Sequence, residues 1–335
     1  MEVDFQHYQS AHCENGVISN LLRHNNIHIS EPMVFGIGSG LFYVFLPFVK
    51  INHAPIASFR TLPGAIFKRI ASRLNIKIKR EKFASKKKAM QALDEIIATG
   101  QPVGLQVGAF HLSYFPPAYR FHFNAHNVIV YGKKDDQYLI SDPVMEHPTF
   151  LTSEELVRVR FAKGAFAPNG HMYYPVSFQE QIDFSTAIKK GIKKTCREML
   201  KTPIPIIGVK GIRFFSKQVR KWLSKHGSKK AALYLGQMVR MQEEIGTGGG
   251  GFRFIYAAFL QEAGEFLKMK RLDDLSEEMT RAGDLWREFA IIAARIYKKR
   301  YPADQQTFDQ AADKLLTIAD REEATFKKLA KLQFD

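Results

Sequence analysis

Residues 1–178 predict an α+β domain, and residues 179–335 predict an all-α one. Up to about Ser177, short runs rich in Val, Ile and Tyr alternate with stretches of helical period, the mixture an α+β fold requires. Beyond that point the 3.6-residue period repeats with little strand signal and is broken only at turn residues. With 335 residues, 45% of them apolar, each part has enough material for its own core.

In chain order, 14–24 reads as a helix that begins directly after Cys13. Residues 33–49 are seventeen uncharged residues, but three glycines and a proline favour buried strand and loop over a membrane span. An amphipathic helix follows over 85–99, with Ser85 as cap and Gly100 as stop. Strands are expected at 102–107, 126–131 and 137–141, the last two joined by the polar loop 133–136 as a hairpin. Ser153 opens a helix with Glu154 and Glu155 in its first turn, where acids suit the helix dipole, and 172–178 is a final strand. The second half offers helices at 186–200, 212–225, 229–244, 252–270, 272–300 and 303–332. Pro203, Pro205, the glycine run 246–251 and Pro302 punctuate them.

The formal net charge is +16, and it is concentrated. Residues 60–88 hold eleven Lys or Arg against Glu81 alone, and 187–230 hold fourteen against Glu198 alone. Such a field attracts anionic partners: nucleic acid, an anionic membrane surface met peripherally, or an acidic carrier protein. A solvated helix face is the plain alternative. Nucleic acid is disfavoured, because no zinc-finger spacing, RNP-type motif or basic heptad pattern is present. Two cysteines exclude a disulfide framework and a four-cysteine zinc site, and they suit a reducing compartment. The first thirty residues lack a basic start followed by an apolar run, so a cytoplasmic location is expected. The long amphipathic helices near the C-terminus are compatible with a homodimer.

Three residues carry candidate chemistry. Cys13 stands at a helix start, where the dipole and unpaired amides favour a thiolate. His126 begins an apolar strand and Asp142 closes the next. If those strands form a hairpin, imidazole and carboxylate lie on neighbouring strands near its open end, as a base and its orienter must. Singly, each has an ordinary structural reading; together their order is that of a cysteine nucleophile and its partners. Glu14 is expected to face solvent or an acceptor pocket. His111, Tyr114, His122 and His126 do not place three ligands on one face, so no metal is expected. The run 246–251 lacks the Lys-Ser/Thr of a P-loop. It is either a break between helices or, through the Gly250 amide and Arg253, a holder for a phosphate or carboxylate.

The motif His12-Cys13-Glu14, followed by the segment 29–43 (ISEPMVFGIGSGLFY), resembles the N-terminal domain of the butirosin biosynthesis protein H family. Segment 126–132 with Ser141-Asp142-Pro143 is similar to that domain and to bacteriocin-processing cysteine peptidases of papain-like fold. Segment 246–263 resembles the glycine-rich signature of the accompanying helical domain, so the likeness spans nearly the whole chain. It implies a papain-like, cysteine-hydrolase-type N-terminal domain used as an acyltransferase without a cofactor. The acyl donor would be the phosphopantetheine thioester of an acyl carrier protein, and the acceptor a small amine or alcohol. Carried over, Cys13 is the nucleophile, His126 the base and Asp142 its orienter. One position departs: papain-like peptidases often carry Gln six residues before the cysteine, where His7 stands here. Gln6 and Gln9 are then candidate oxyanion donors beside the Cys13 backbone amide. A carrier's acidity would match the basic blocks, and its phosphate would suit Gly250 and Arg253. A peptidase or amidase using the same three residues, and a non-catalytic binding protein on the same scaffold, are the alternatives.

Overall fold

The computed structural model describes residues 1–51 and 53–334. The first part of the chain runs α1 (Cys13–His24), α2 (Glu31–Ile37), β1 (Leu41–Ile51), β2 (Ala54–Arg60), α3 (Ala65–Arg73), β3 (Lys77–Glu81), α4 (Lys86–Ala98) and β4 (Val103–Val107). It continues through β5 (His126–Lys134), β6 (Gln137–Ser141), β7 (Thr149–Thr152), α5 (Ser153–Arg160) and β8 (Met172–Ser177). The helices α6 (Phe184–Lys201), α7 (Gly208–His226), α8 (Ser228–Val239), α9 (Arg253–Leu267), α10 (Lys270–Tyr297) and α11 (Gln305–Ala330) follow.

Two units result, one of residues 1–34 and 70–182, the other of 35–69 and 183–335. The first is built on an antiparallel sheet ordered β3-β8-β4-β5-β6-β7. The alternation along β5 sorts its side chains by face. Val128 and Val130 join Val103, Leu105 and Val107 of β4 in a core closed by Leu93 and Ile97 of α4 and Leu156 and Val159 of α5. Asn127 has the opposite parity and points to α1, which packs against β4, β5 and β8. The caps explain where the helices begin. Ser85 Oγ accepts from Lys88 N at the start of α4. At α5 a capping box between Thr152 and Glu155 puts the cap at Thr152, one residue before the Ser153 expected to open the helix. The β5–β6 hairpin forms as predicted, with Asp135 at φ +52° in its turn.

The second unit corrects the expected boundary. Residues 35–69 do not stay with the α+β residues on either side but group with the C-terminal helices. The cause is aromatic: the β1–β2 hairpin inserts rings among the helices, Phe45 lying 4.8 Å from Phe215 and Phe59 5.1 Å from Trp286 between centroids. The apolar run 33–49 is thus the end of α2, a turn and most of β1: it is strand and loop only from residue 38 on, and its far end is exposed, Phe48 by 71%. No helix among the described residues is long and apolar enough to cross a membrane. The predicted helix 229–244 is α8 continued by a π-helical turn, Arg240–Glu244. Pro302 falls between α10 and α11 as expected.

Candidate active site

Cys13 is the first residue of α1, and the turn before it is held from two sides. His12 caps the helix, its Nδ1 accepting from Asn15 N at 3.4 Å. The Glu31 carboxylate accepts from Ala11 N at 2.9 Å and His12 N at 2.8 Å. Burial raises the pKa of Glu31, and the two amide donors oppose that rise. One turn along α1, Gly16 lets the segment after Asp142 close in. A Cβ there would stand 2.5 Å from Pro143 Cβ and 2.7 Å from Ser10 Cβ. Ser10 N donates to Pro143 O at 2.6 Å, tying the approach to Cys13 to the Asp142 turn.

His126 and Asp142 meet as the hairpin predicts. His126 Nε2 lies 2.7 Å from Asp142 Oδ2, and Asp142 is fully buried. The same oxygen accepts from Tyr114 Oη at 2.8 Å, while Oδ1 accepts from Val144 N at 3.2 Å. Burial, then the Asp142 charge, push the Tyr114 hydroxyl well above its ordinary value, so it serves as a donor. With Nε2 engaged by Asp142, Nδ1 is the ring nitrogen left for Cys13, whose interaction with the imidazole raises the His126 pKa. Burial works against a charged imidazole here, but Asp142 and Cys13 outweigh it and lift the His126 pKa to about 10. The ring therefore keeps its proton at neutral pH beside the sulfur, the arrangement that makes a thiol nucleophilic. Phe115 packs edge-on to the imidazole, ring centroids 5.2 Å apart, and excludes water from it.

Several expected residues lie elsewhere. Gln6 and Gln9 are exposed, and Gln6 Oε1 accepts from Tyr8 Oη, so neither is turned to the thiol. His7, in the glutamine position, braces the Asp142 turn: its Nε2 donates to Met145 O at 3.1 Å and its Nδ1 accepts from Ser141 Oγ at 2.8 Å. Glu14 is 2% exposed and does not face solvent, because α1 is buried on all sides over its first ten residues. Gly250 and Arg253 hold no ligand-facing position. Arg253 is wholly buried and bonded twice to Glu322, at 2.8 and 3.0 Å, with a third bond to Gly251 O. The Gly250 amide donates to the Glu243 carboxylate at 3.1 Å. The glycines serve packing: a Cβ on Gly251, at φ +57°, would sit 2.4 Å from the Phe59 ring. Tyr114, first met in a histidine cluster, belongs to the Asp142 carboxylate instead. Among the described residues, no group of three or more His, Cys, Asp and Glu is placed to hold a metal ion. Two further residues stand at the thiol: Asn127, whose Nδ2 is 3.9 Å from Cys13 Sγ, and Tyr173, whose hydroxyl donates to Asn127 Oδ1 at 2.8 Å. Their only sequence signal is adjacency to His126 and an aromatic on a predicted strand.

A thiol at a buried helix start, beside an imidazole held by a carboxylate just past the end of the neighbouring strand, defines a papain-like cysteine enzyme. The chain belongs to the butirosin biosynthesis protein H-like family: residues 12–143 match the family described as Butirosin biosynthesis protein H, N-terminal, and 154–329 match Domain of unknown function (DUF4872). Among solved structures, one described as a C39-like peptidase from Bacillus anthracis is similar at 14% identity and a TM-score of 0.36. The match covers 54% of this chain and 100% of that one. No curated protein matches the chain.

Proposed function

We propose that the protein is a cysteine-dependent acyltransferase. It moves an acyl group from the phosphopantetheine thioester of an acidic acyl carrier protein, through Cys13, to a small amine or alcohol in a biosynthetic route. The observation that carries the reading is the buried Cys13–His126–Asp142 array, whose imidazole is held at 2.7 Å by the carboxylate and keeps its proton. The Cys13 thiolate attacks the thioester carbonyl, the C–S bond to pantetheine breaks, and His126 protonates the departing thiol. Neutral His126 then takes a proton from the acceptor as it attacks the acyl-enzyme, the Sγ–acyl bond breaks, and the thiolate–imidazolium pair is restored. Thioester-to-thioester exchange is nearly balanced, so the protein's tasks are orientation and the exclusion of water. Burial of the array, with Cys13 7% and His126 6% exposed, favours transfer over hydrolysis. The carrier would meet the lysines of α6 and α7; Arg213 and Arg220 of α7 are engaged by Asp320, Glu323, Asp309 and Asp313 of α11.

The test supplies acyl-carrier thioesters together with a panel of amines and follows both possible products. The reading expects acyl-amine to exceed free acid with the wild type, and neither product above background with Cys13→Ala. Free acid alone would make the protein a hydrolase, and equal rates with Cys13→Ala would remove the covalent route.

A further inference from the structure

We propose that Asn127 is the side-chain oxyanion donor of the Cys13 site and that Tyr173 is its positioning residue. The proposal rests on the reading of Cys13 as a nucleophile acylated at a carbonyl carbon. Attack on a carbonyl forms the Sγ–C bond and moves the π pair onto oxygen. Collapse of that adduct expels the leaving group and restores the carbonyl. The transient oxyanion needs donors already in place, and the residue that stands where papain-like peptidases often carry Gln, His7, has both ring nitrogens engaged by Ser141 and Met145.

Asn127 meets the requirement. Its Nδ2 carries two hydrogens: one goes to Ala125 O at 3.1 Å, and the other points to Cys13 Sγ at 3.9 Å. That gap is long for a bond to sulfur. A carbonyl oxygen, two bonds from Sγ once the adduct forms, would lie within it. The amide cannot turn over. Ala125 O accepts only from the nitrogen side, and Tyr173 Oη donates to Oδ1 at 2.8 Å on the other. Burial, then Glu14 and Cys13, hold the Tyr173 hydroxyl well above its ordinary pKa, so it remains a donor. The ring reaches Asn127 because its cross-strand partner on β4 is Gly104, where a Cβ would stand 2.3 Å from the ring. Three strands, β4, β5 and β8, thus deliver one N–H to the sulfur. The backbone amide of Cys13, at the helix start, is the natural second donor.

The experiment uses p-nitrophenyl acetate, whose carbonyl passes through the same oxyanion whatever the natural donor, and iodoacetamide, which alkylates sulfur without forming one. Asn127→Ala is expected to slow acylation of Cys13 by about 10²–10³-fold with the alkylation rate unchanged. Tyr173→Phe is expected to slow acylation by about tenfold, again without effect on alkylation, and it provides the test if Asn127→Ala does not fold. Undiminished acylation in these variants would overturn the proposal, and so would an equal fall in alkylation, which would mean that Asn127 places the thiol. A wild type that reacts with p-nitrophenyl acetate but with no carrier thioester would overturn the proposed function and leave Asn127 in its role. A wild type inert to both esters would overturn both.

Discussion

Asp142→Ala is expected to lower the rate of Cys13 acylation by about 10²–10⁴-fold. The carboxylate is fully buried and receives His126, Tyr114 and the Val144 amide. Its removal strips the buried imidazolium of its counter-charge and leaves Nε2 and the Tyr114 hydroxyl without their acceptor. The His126 pKa, lifted to about 10 against the pull of burial, falls back toward and below its ordinary 6.5. A pH–rate profile checks this: the wild type keeps its imidazolium until pH nears 10, whereas the basic limb of the variant moves to neutral pH or lower. Stability follows the same group. A folded pKa above the unfolded one contributes stability fully present below pH 6.5 and lost as pH rises through about 10. Denaturant unfolding across that window should show a decline in wild type that Asp142→Ala lacks.

The second large effect is on stability and concerns Arg253, which the sequence offers as a holder for a phosphate or carboxylate. Arg253→Ala is expected to destabilise the helical unit by about 3–5 kcal/mol, because Glu322 is left as a buried charge without its counter-ion, with Trp286 Nε1 still donating to it at 2.7 Å. Replacing both partners, Arg253→Met with Glu322→Leu, should restore much of the loss, since an apolar pair leaves no uncompensated charge. Urea unfolding of the single and double variants measures this directly. If Arg253→Ala instead weakened acyl-carrier binding with stability unchanged, the guanidinium would be a phosphate holder after all.

What could be read from the sequence was what chain order and residue chemistry determine. Cys13 at a helix start and His126 and Asp142 at the open end of a hairpin need only local elements to be placed, and the family likeness pointed the same way. The hairpin at 41–60 was hidden because an uncharged apolar run carries no period that says which core it joins. Arg253 was misread because Glu322 lies 69 residues further on, and nothing local announces that pair. Glu14 does not face solvent because α1 buries its polar residues along with its apolar ones over its first ten positions. Asn127 escaped for a geometric reason. Consecutive strand residues point to opposite faces, so His126 and Asn127 should not serve one thiol. Both nevertheless lie by Cys13: Asn127 Nδ2 is 3.9 Å from its sulfur, and His126, the first residue of β5, is near enough for Cys13 to raise its pKa.

In the proposed transfer Cys13 carries the acyl group. Intact-protein mass spectrometry after incubation with carrier and pantetheine thioesters, wild type beside Cys13→Ala, addresses it most directly. The wild type is expected to carry an adduct of one acyl group, mapped to the peptide holding Cys13, discharged by added amine and absent from the variant. An adduct of equal yield on Cys13→Ala, or one mapped to Cys196, would contradict it.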